Sequence, residues 1–211
     1  MEKTDFETIF EGLVPVKLFK GDKIGRNAGE DSLLAYIKSG YVRLYTVLAD
    51  GEEVTLHIFK PGLFLPILTE KIVPGRYILE ALTSAEIYEI SKEDMEKLSA
   101  SSPEAIVPFI EVGFDGVEEL FSRIESLASG NAYSKVISFF CLLFEDNKEG
   151  KNIKPGFPLT HRIIASLTGL TRETVTIQML KLKKKGLITG KGRNMLIKDL
   201  QELRKESPIE E

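Results

Sequence analysis

The run Thr171-Arg172-Glu173-Thr174-Val175 sets a guanidinium beside a carboxylate, directly after a residue that can cap a helix. A guanidinium carries a planar fork of donors that fits the O6/N7 edge of guanine. A carboxylate accepts from the N4 amino group of cytosine. An Arg–Glu pair opening a helix therefore has the chemistry to read base-pair edges. The neighbouring residues supply a scaffold for it. Ala165 is small enough to let two helices approach, and Gly169, four positions on, suits a tight turn with positive φ. Val175, six further, faces back onto the first helix. Thr171 is a good N-cap, and Glu173 in the first turn suits the helix dipole. The spacing predicts a helix-turn-helix whose second helix enters the major groove by its N-terminal end.

That second helix is predicted over 172–185, stopping at Gly186, with Val175, Met179 and Leu182 as its core face. Leu187 to Thr189 and Met195 to Ile197 then flank Gly190-Lys191-Gly192-Arg193-Asn194, a hairpin with a basic tip, or wing. Arg172, Glu173 and Thr176, which shares an exposed side with Arg172, are candidate base readers. Thr160, His161, Thr171, Thr174, Lys191 and Arg193 are candidate phosphate ligands, which would position the protein without specifying sequence. Lys181, Lys183, Lys184 and Lys185 either solubilise the far end of the helix or add a non-specific electrostatic attraction.

Charge supports a polyanionic partner. The chain of 211 residues has a formal net charge of −4, yet residues 151–200 hold eleven Lys/Arg against two Asp/Glu. An acidic front and a basic back suggest two units, the second facing a polyanion, here double-stranded DNA. A solvated lysine face is the plainer alternative. Composition, 43% hydrophobic and 28% charged, is that of an ordinary globular protein. The longest apolar run, 136–144, is far below the roughly 20 residues that span a bilayer. The start, Met1-Glu2-Lys3-Thr4-Asp5, lacks a signal-peptide pattern, so a cytoplasmic protein with no membrane partner is expected. One cysteine, Cys141, excludes an internal disulfide and a four-Cys metal site. Two histidines, His57 and His161, leave little for metal chemistry, so no metal and no cofactor is expected. No nucleophile–base set and no phosphate loop is present, so no enzyme is expected.

The rest of the chain must position the reading head. Residues 1–12 read as a short helix with Phe6, Ile9 and Phe10 on one side. From Val14 to about Ile90, short β-rich runs are punctuated by Gly21-Asp22, Ser39-Gly40, Asp50-Gly51, Pro61-Gly62 and Pro74-Gly75, the pattern of a sandwich or barrel. Asp50-Gly51 is a strong hairpin signal. Ser91-Lys92-Glu93-Asp94 opens a helix with a capping-box-like start. Pro103 begins a long helix in which Ile106, Ile110, Gly113, Val117, Leu120, Ile124 and Leu127 recur at alternating spacings of four and three. That is an a/d seam for a second chain, or a face lying on its own core. Phe109, Phe114 and Phe121 widen the face, so that one side packs on the β-domain while the other pairs. Gly130-Asn131 breaks the helix. Val136 to Phe144 reads as a buried helix with Cys141 as a small core residue, 148–158 as a loop, and 199–211 as a fraying tail.

By its order of parts the chain resembles the cyclic-AMP receptor protein and fumarate–nitrate regulator (CRP/FNR) family of bacterial transcription factors over nearly its whole length. The resemblance rests on Gly21-Asp22-Lys23-Ile24, Ile37-Lys38-Ser39-Gly40-Tyr41-Val42-Arg43-Leu44, Asp50-Gly51-Glu52-Glu53 and Phe59-Lys60-Pro61-Gly62, then on Leu159-Thr160-His161, Thr171 to Val175 and Gly186-Leu187-Ile188. It implies an α+β fold. A cyclic-nucleotide-binding-like β-roll (jelly roll) occupies 1–102, a dimerisation helix 103–130 and a winged helix-turn-helix 131–211. It also implies a homodimer on a palindromic site, with RNA polymerase as a further partner. In the family the Arg–Glu pair reads bases, and a second Arg commonly stands five residues after the first. Here that position is Ile177, which touches a thymine methyl or reads nothing.

The same resemblance bears on what is sensed. Cyclic-nucleotide binders in the family carry a Gly-Glu and a later Arg-Ser around the phosphate. The stretch Pro61-Gly62-Leu63-Phe64-Leu65-Pro66-Ile67-Leu68 has no acidic residue, Pro66 lacks a backbone donor, and Tyr77 follows Arg76 where Ser is usual. A small-molecule effector other than cyclic AMP is therefore expected, with Leu63, Phe64, Leu65, Arg76 and Tyr77 as candidate lining. A packed core with no ligand and constitutive DNA binding is the alternative. The iron–sulfur branch needs N-terminal cysteines, which this chain lacks, and His57 alone could ligate a haem in the β-domain, where a core or surface histidine is the simpler reading. Effector binding would bias how the long helices pair and set the recognition helices roughly 34 Å apart. A signalling module whose winged helix contacts protein is the competing function, and the basic stretch argues against it.

Overall fold

A computed structural model describes residues 10, 13–24, 32–67, 75–101, 106–128, 130–144, 147, 150–192 and 194–207. The helix expected over 1–12 lies outside these residues apart from Phe10. Contacts divide the chain into two compact units, Met1–Glu52 with Leu56–Gly116, and Glu53–Thr55 with Val117–Glu211.

The first unit is built on short strands: β1 (Val16–Leu18), β2 (Lys23–Ile24), β3 (Ser32–Ser39), β4 (Val42–Val47), β5 (Glu53–Phe59, whose first three residues group with the second unit), β6 (Phe64–Leu65), β7 (Ile78–Ala81) and β8 (Ala85–Ser91). They form two four-stranded sheets, ordered β1-β8-β3-β6 and β2-β7-β4-β5. Alternation along each strand sends one set of side chains inward. Ala35 and Ile37 of β3, Val42 of β4, Phe59 of β5, Leu65 of β6, Leu79 of β7 and Ile87 of β8 meet in one core with Ile24 and Ile67. The Asp50-Gly51 turn closes as expected: Leu48 N–H donates to Glu52 O at 2.9 Å, and Asp50 Oδ1 accepts from Glu52 N at 3.0 Å. Gly40 is required by close approach, since at φ 87° a Cβ would run into Ser84 O and Ala85 Cα. Phe10 lies between two rings, 4.6 Å from Tyr36 and 5.0 Å from Tyr88.

Helix α1 (Lys92–Ser101) starts on the predicted box: Ser91 N donates to Asp94 Oδ2 at 2.9 Å and Asp94 N to Ser91 Oγ at 3.1 Å. Helix α2 (Val107–Ala128) follows. Phe109 packs 4.7 Å from Phe64 of β6, as expected for the β-facing side. Phe114 and Phe121, which widen the apolar face, are exposed within the single chain. Ile110, Val117, Leu120 and Ile124 are also exposed, as is Gly113, while Ile106 and Leu127 are half-buried.

The second unit comprises the end of α2, α3 (Ala132–Leu143), β9 (Lys151–Ile153), α4 (His161–Thr168), α5 (Arg172–Lys184), β10 (Ile188–Thr189), β11 (Leu196–Asp199) and α6 (Leu200–Arg204). Asn131 caps α3, its Oδ1 accepting from Tyr133 N and Ser134 N, so the break at Gly130-Asn131 is also a helix start. Residues 136–140 are buried, but Cys141 is half-buried rather than in the core. Two expectations are corrected here. The 148–158 loop contains β9, which pairs antiparallel with β11 through Ile153↔Ile197 and makes the wing sheet three-stranded, β10-β11-β9. The tail does not fray up to residue 207: Asp199 caps α6, and Leu200 and Leu203 are fully buried. Two leucines in a polar stretch carry too weak a period to be read from sequence.

Candidate nucleic-acid interface

The reading head is built from two capped helices. Thr160 caps α4, its hydroxyl accepting from Ile163 N at 3.2 Å. Gly169 ends α4 at φ 63°, the left-handed conformation its position requires, and its N–H bonds Ala165 O. Thr171 then caps α5, accepting from Thr174 N at 3.2 Å. Val175, Met179 and Leu182 are buried, and so is Ala165. This locks the inner face of α5 and leaves Arg172 and Glu173 exposed on its first turn. Ile177 is 63% exposed.

The candidate phosphate ligands fall around the same end. The Thr171 and Thr174 hydroxyls lie 2.9 Å apart and share a hydrogen bond. His161 Nδ1 is 2.8 Å from Thr176 Oγ1, and that hydroxyl donates to Arg172 O at 2.8 Å. The single hydroxyl proton of Thr176 goes to the carbonyl, so His161 Nδ1 must be the donor in the other bond, leaving Nε2 as the basic nitrogen. Thr176 is half-buried with its hydroxyl engaged in this way, so its polar atom is held against the helix backbone. Burial, then the charges of Lys183 and Arg172, hold the His161 imidazole below its ordinary pKa. Lys191 is exposed on the wing, and Arg193 lies outside the described residues. A bridge between Leu159 and Gly192 ties the wing to the residue before the α4 cap.

The lysines at the far end of α5 have separate roles. Lys185 Nζ lies 2.6 Å from both carboxylate oxygens of Glu206, and Tyr133 donates its hydroxyl to Glu206 at 3.2 Å. Lys181 sits 4.0 Å over the Tyr133 ring. Lys185 thus fastens the C-terminal residues and Lys181 lies against α3, whereas Lys184 is simply exposed and Lys183 half-buried.

Sequence reasoning missed two residues of this unit. Leu180 is 54% exposed, three positions after Ile177 on the face opposite Val175, Met179 and Leu182; the helical period alone would have found it. Arg123 of α2 donates to the carbonyls of Leu167, at 2.9 Å, and Thr55. Its burial lowers its pKa to about 10, so it remains protonated and supplies a cation to the C-terminal end of α4. No signal in the α2 pattern distinguishes it from a solvated arginine.

The candidate effector residues lie in the first unit. Leu65 is fully buried in the core and Leu63 packs against it. Phe64 packs between Tyr36 and Phe109. Arg76 is exposed, its guanidinium 5.4 Å from the Tyr77 ring. His57 stands edge-on to Phe59 at 4.4 Å. Among the described residues, no helix is long and apolar enough to cross a membrane.

Comparison with known proteins agrees with this arrangement. Residues 16–102 match the model of the cyclic nucleotide-binding domain, and residues 134–206 that of the Crp-like helix-turn-helix domain. The chain is 26% identical over 195 residues to the global nitrogen regulator of Synechococcus elongatus, covering 88% of this chain and 87% of that protein. It is 24% identical over 211 residues to the regulatory protein HlyX of Actinobacillus pleuropneumoniae, covering 96% and 84%. Its fold is similar to that of FixK2 from Bradyrhizobium japonicum, with a TM-score of 0.75 at 18% identity over 94% of this chain and 99% of that one. Both sequence relatives are named as regulators.

Proposed function

Because the chain belongs to the CRP/FNR family of transcription regulators, we propose that it acts as a homodimer reading a palindromic DNA site through the first turns of two α5 helices. The observation that carries this is the exposed Arg172-Glu173 pair, opening a helix whose opposite face is locked into a core. Arg172 takes guanine O6/N7 and Glu173 a cytosine amino group, with Thr176 and Ile177 beside them. Thr160, His161, Thr171, Thr174, Lys191 and Arg193 contact phosphates.

The partner protomer pairs along α2. Ile110, Val117, Leu120 and Ile124 are 42–61% exposed in one chain and recur on one stripe with Ile106, Gly113 and Leu127. Fully burying a large aliphatic side chain is worth about 1.5–3 kcal/mol, so this stripe favours a second α2 over water. The working division is a sensor β-roll at 1–102, a dimerisation helix at 103–130 and a DNA-binding domain at 131–211, acting in the cytoplasm with RNA polymerase as a further partner. The β-roll takes a small effector other than cyclic AMP. Of its candidate lining, Leu65 is committed to the core, Leu63, Phe64 and Tyr77 are half-buried, and Arg76 is exposed.

Selection of bound sites from a random DNA pool, followed by mobility shifts, tests the reading. A two-fold symmetric site with half-sites about one turn apart is expected. Arg172→Ala should lose about 1–3 kcal/mol of base discrimination, whereas Lys191→Ala should weaken binding to all sequences and flatten the salt dependence. Failure to enrich any site, or unchanged discrimination by Arg172→Ala, would refute it.

A further inference from the structure

We infer that Ile177 and Leu180 together form a thymine-reading stripe, which makes the 5-methyl groups of thymine a specificity determinant of this protein. The inference rests on α5 being the recognition helix and names what its middle recognises.

Val175, Met179 and Leu182 bury one face of α5, and Glu173, Ile177, Leu180 and Lys184 follow one another at spacings of four, three and four on the opposite face. Ile177 and Leu180 are thus neighbours at the centre of the outward face, 63% and 54% exposed, between a charged residue on either side. A lone exposed leucine needs no explanation. Two adjacent branched aliphatics between Glu173 and Lys184, on the outward face of a DNA-binding domain's recognition helix, do.

Neither side chain can donate or accept a hydrogen bond, so neither can distinguish guanine, cytosine or adenine by its polar edge. The one apolar group that a base pair offers in the major groove is the thymine C5-methyl. Three residues of helix advance about 4.5 Å, against about 3.4 Å per base step along a strand. The pair therefore spans one to two base steps beyond those taken by Arg172 and Glu173. The charged residues anchor the polar part of the half-site, and the aliphatic pair favours thymine next to it.

Deoxyuridine isolates this contact, because replacing T by dU removes the methyl and leaves every hydrogen-bonding group in place. With the full-length protein and its selected site, each thymine is replaced in turn by dU. Burial of one methyl predicts about a fourfold loss of affinity per contacted thymine, and about 15-fold when the symmetric position is replaced as well. Ile177→Ala and Leu180→Ala, both at exposed positions, should melt as the parent does and should each become insensitive to dU at the thymine it covers. Equal affinity for T and dU at every position would overturn the inference, as would undiminished dU sensitivity in both variants. If the pool yields no site at all, the recognition-helix reading itself fails. If a site is selected and Arg172→Ala relaxes it while dU has no effect, only the thymine stripe fails.

Discussion

Thr171 carries two roles that a pair of substitutions can separate. Its hydroxyl caps α5 by accepting from Thr174 N, and in the proposed complex it lies at a DNA phosphate. Thr171→Ala removes the cap, which costs about 1 kcal/mol. A domain of this size then melts roughly 4–8 °C lower. Thr171→Asp keeps a cap acceptor and adds a negative charge where the helix dipole favours one, so its Tm should equal or exceed the parent's. On DNA the same charge faces a phosphate. At about 5 Å, two like charges repel by about 0.8 kcal/mol in water-like surroundings and by about 3 kcal/mol at an effective dielectric of 20. The smaller figure is about fourfold per half-site and about 15-fold for a dimer, on specific and random DNA alike. Thr171→Asn caps without the charge and should restore both properties toward the parent. Thermal melting and mobility shifts at fixed salt on the three variants decide the matter. If Thr171→Asp binds DNA as the parent does, the residue is not at a phosphate. If Thr171→Ala melts with the parent, the cap is not what holds the helix start.

Two further perturbations follow from the second unit. Leu203→Ala removes a fully buried side chain from α6 and should cost about 2–5 kcal/mol, read from the urea midpoint; a change within 0.5 kcal/mol would mean that the tail does not dock. His161 has a pKa below its ordinary value in the folded chain, so its contribution to stability is fully present above the unfolded value near 6.5 and is lost as pH falls toward the lower folded value. A phosphate beside Nε2 favours the protonated ring, so affinity for the selected site should rise over the same acid window in which Tm falls. His161→Gln should flatten both profiles, and parallel pH profiles for parent and variant would remove His161 from the interface.

The parts of the fold that were legible in the sequence are those decided by a few adjacent residues. Thr171 caps because its side chain reaches the N–H three residues on, and Gly169 turns because only glycine takes φ 63° at no cost. Val175, Met179 and Leu182 were readable as a core face because a helix repeats every 3.6 residues. The Asp50-Gly51 hairpin and the Ser91–Asp94 box are local in the same sense. Strand β9 was not legible because its three residues become a strand only by pairing with β11, more than forty positions away. The burial of Leu200 and Leu203 depends likewise on a surface assembled from distant residues.

The same distinction explains why the reading head was clearer than its controls. Arg172 and Glu173 work outward on a ligand, so their chemistry stands in their own side chains. Arg123 works inward on carbonyls of Leu167 and Thr55, and nothing in a guanidinium's sequence neighbours tells which carbonyls it will meet. Its burial makes it costly to leave unpaired. Among the described residues the hydrogen bonds of this α2 cation go to backbone carbonyls, so Arg123 is tied to the Leu167 end of α4, and the turn at Gly169 begins just beyond that point. Any change in α2 that moved Arg123 would have to move the Leu167 carbonyl with it or abandon the bond. The carbonyl that Arg123 holds lies two residues before the Gly169 turn that leads into α5, and no motif identifies the guanidinium that holds it.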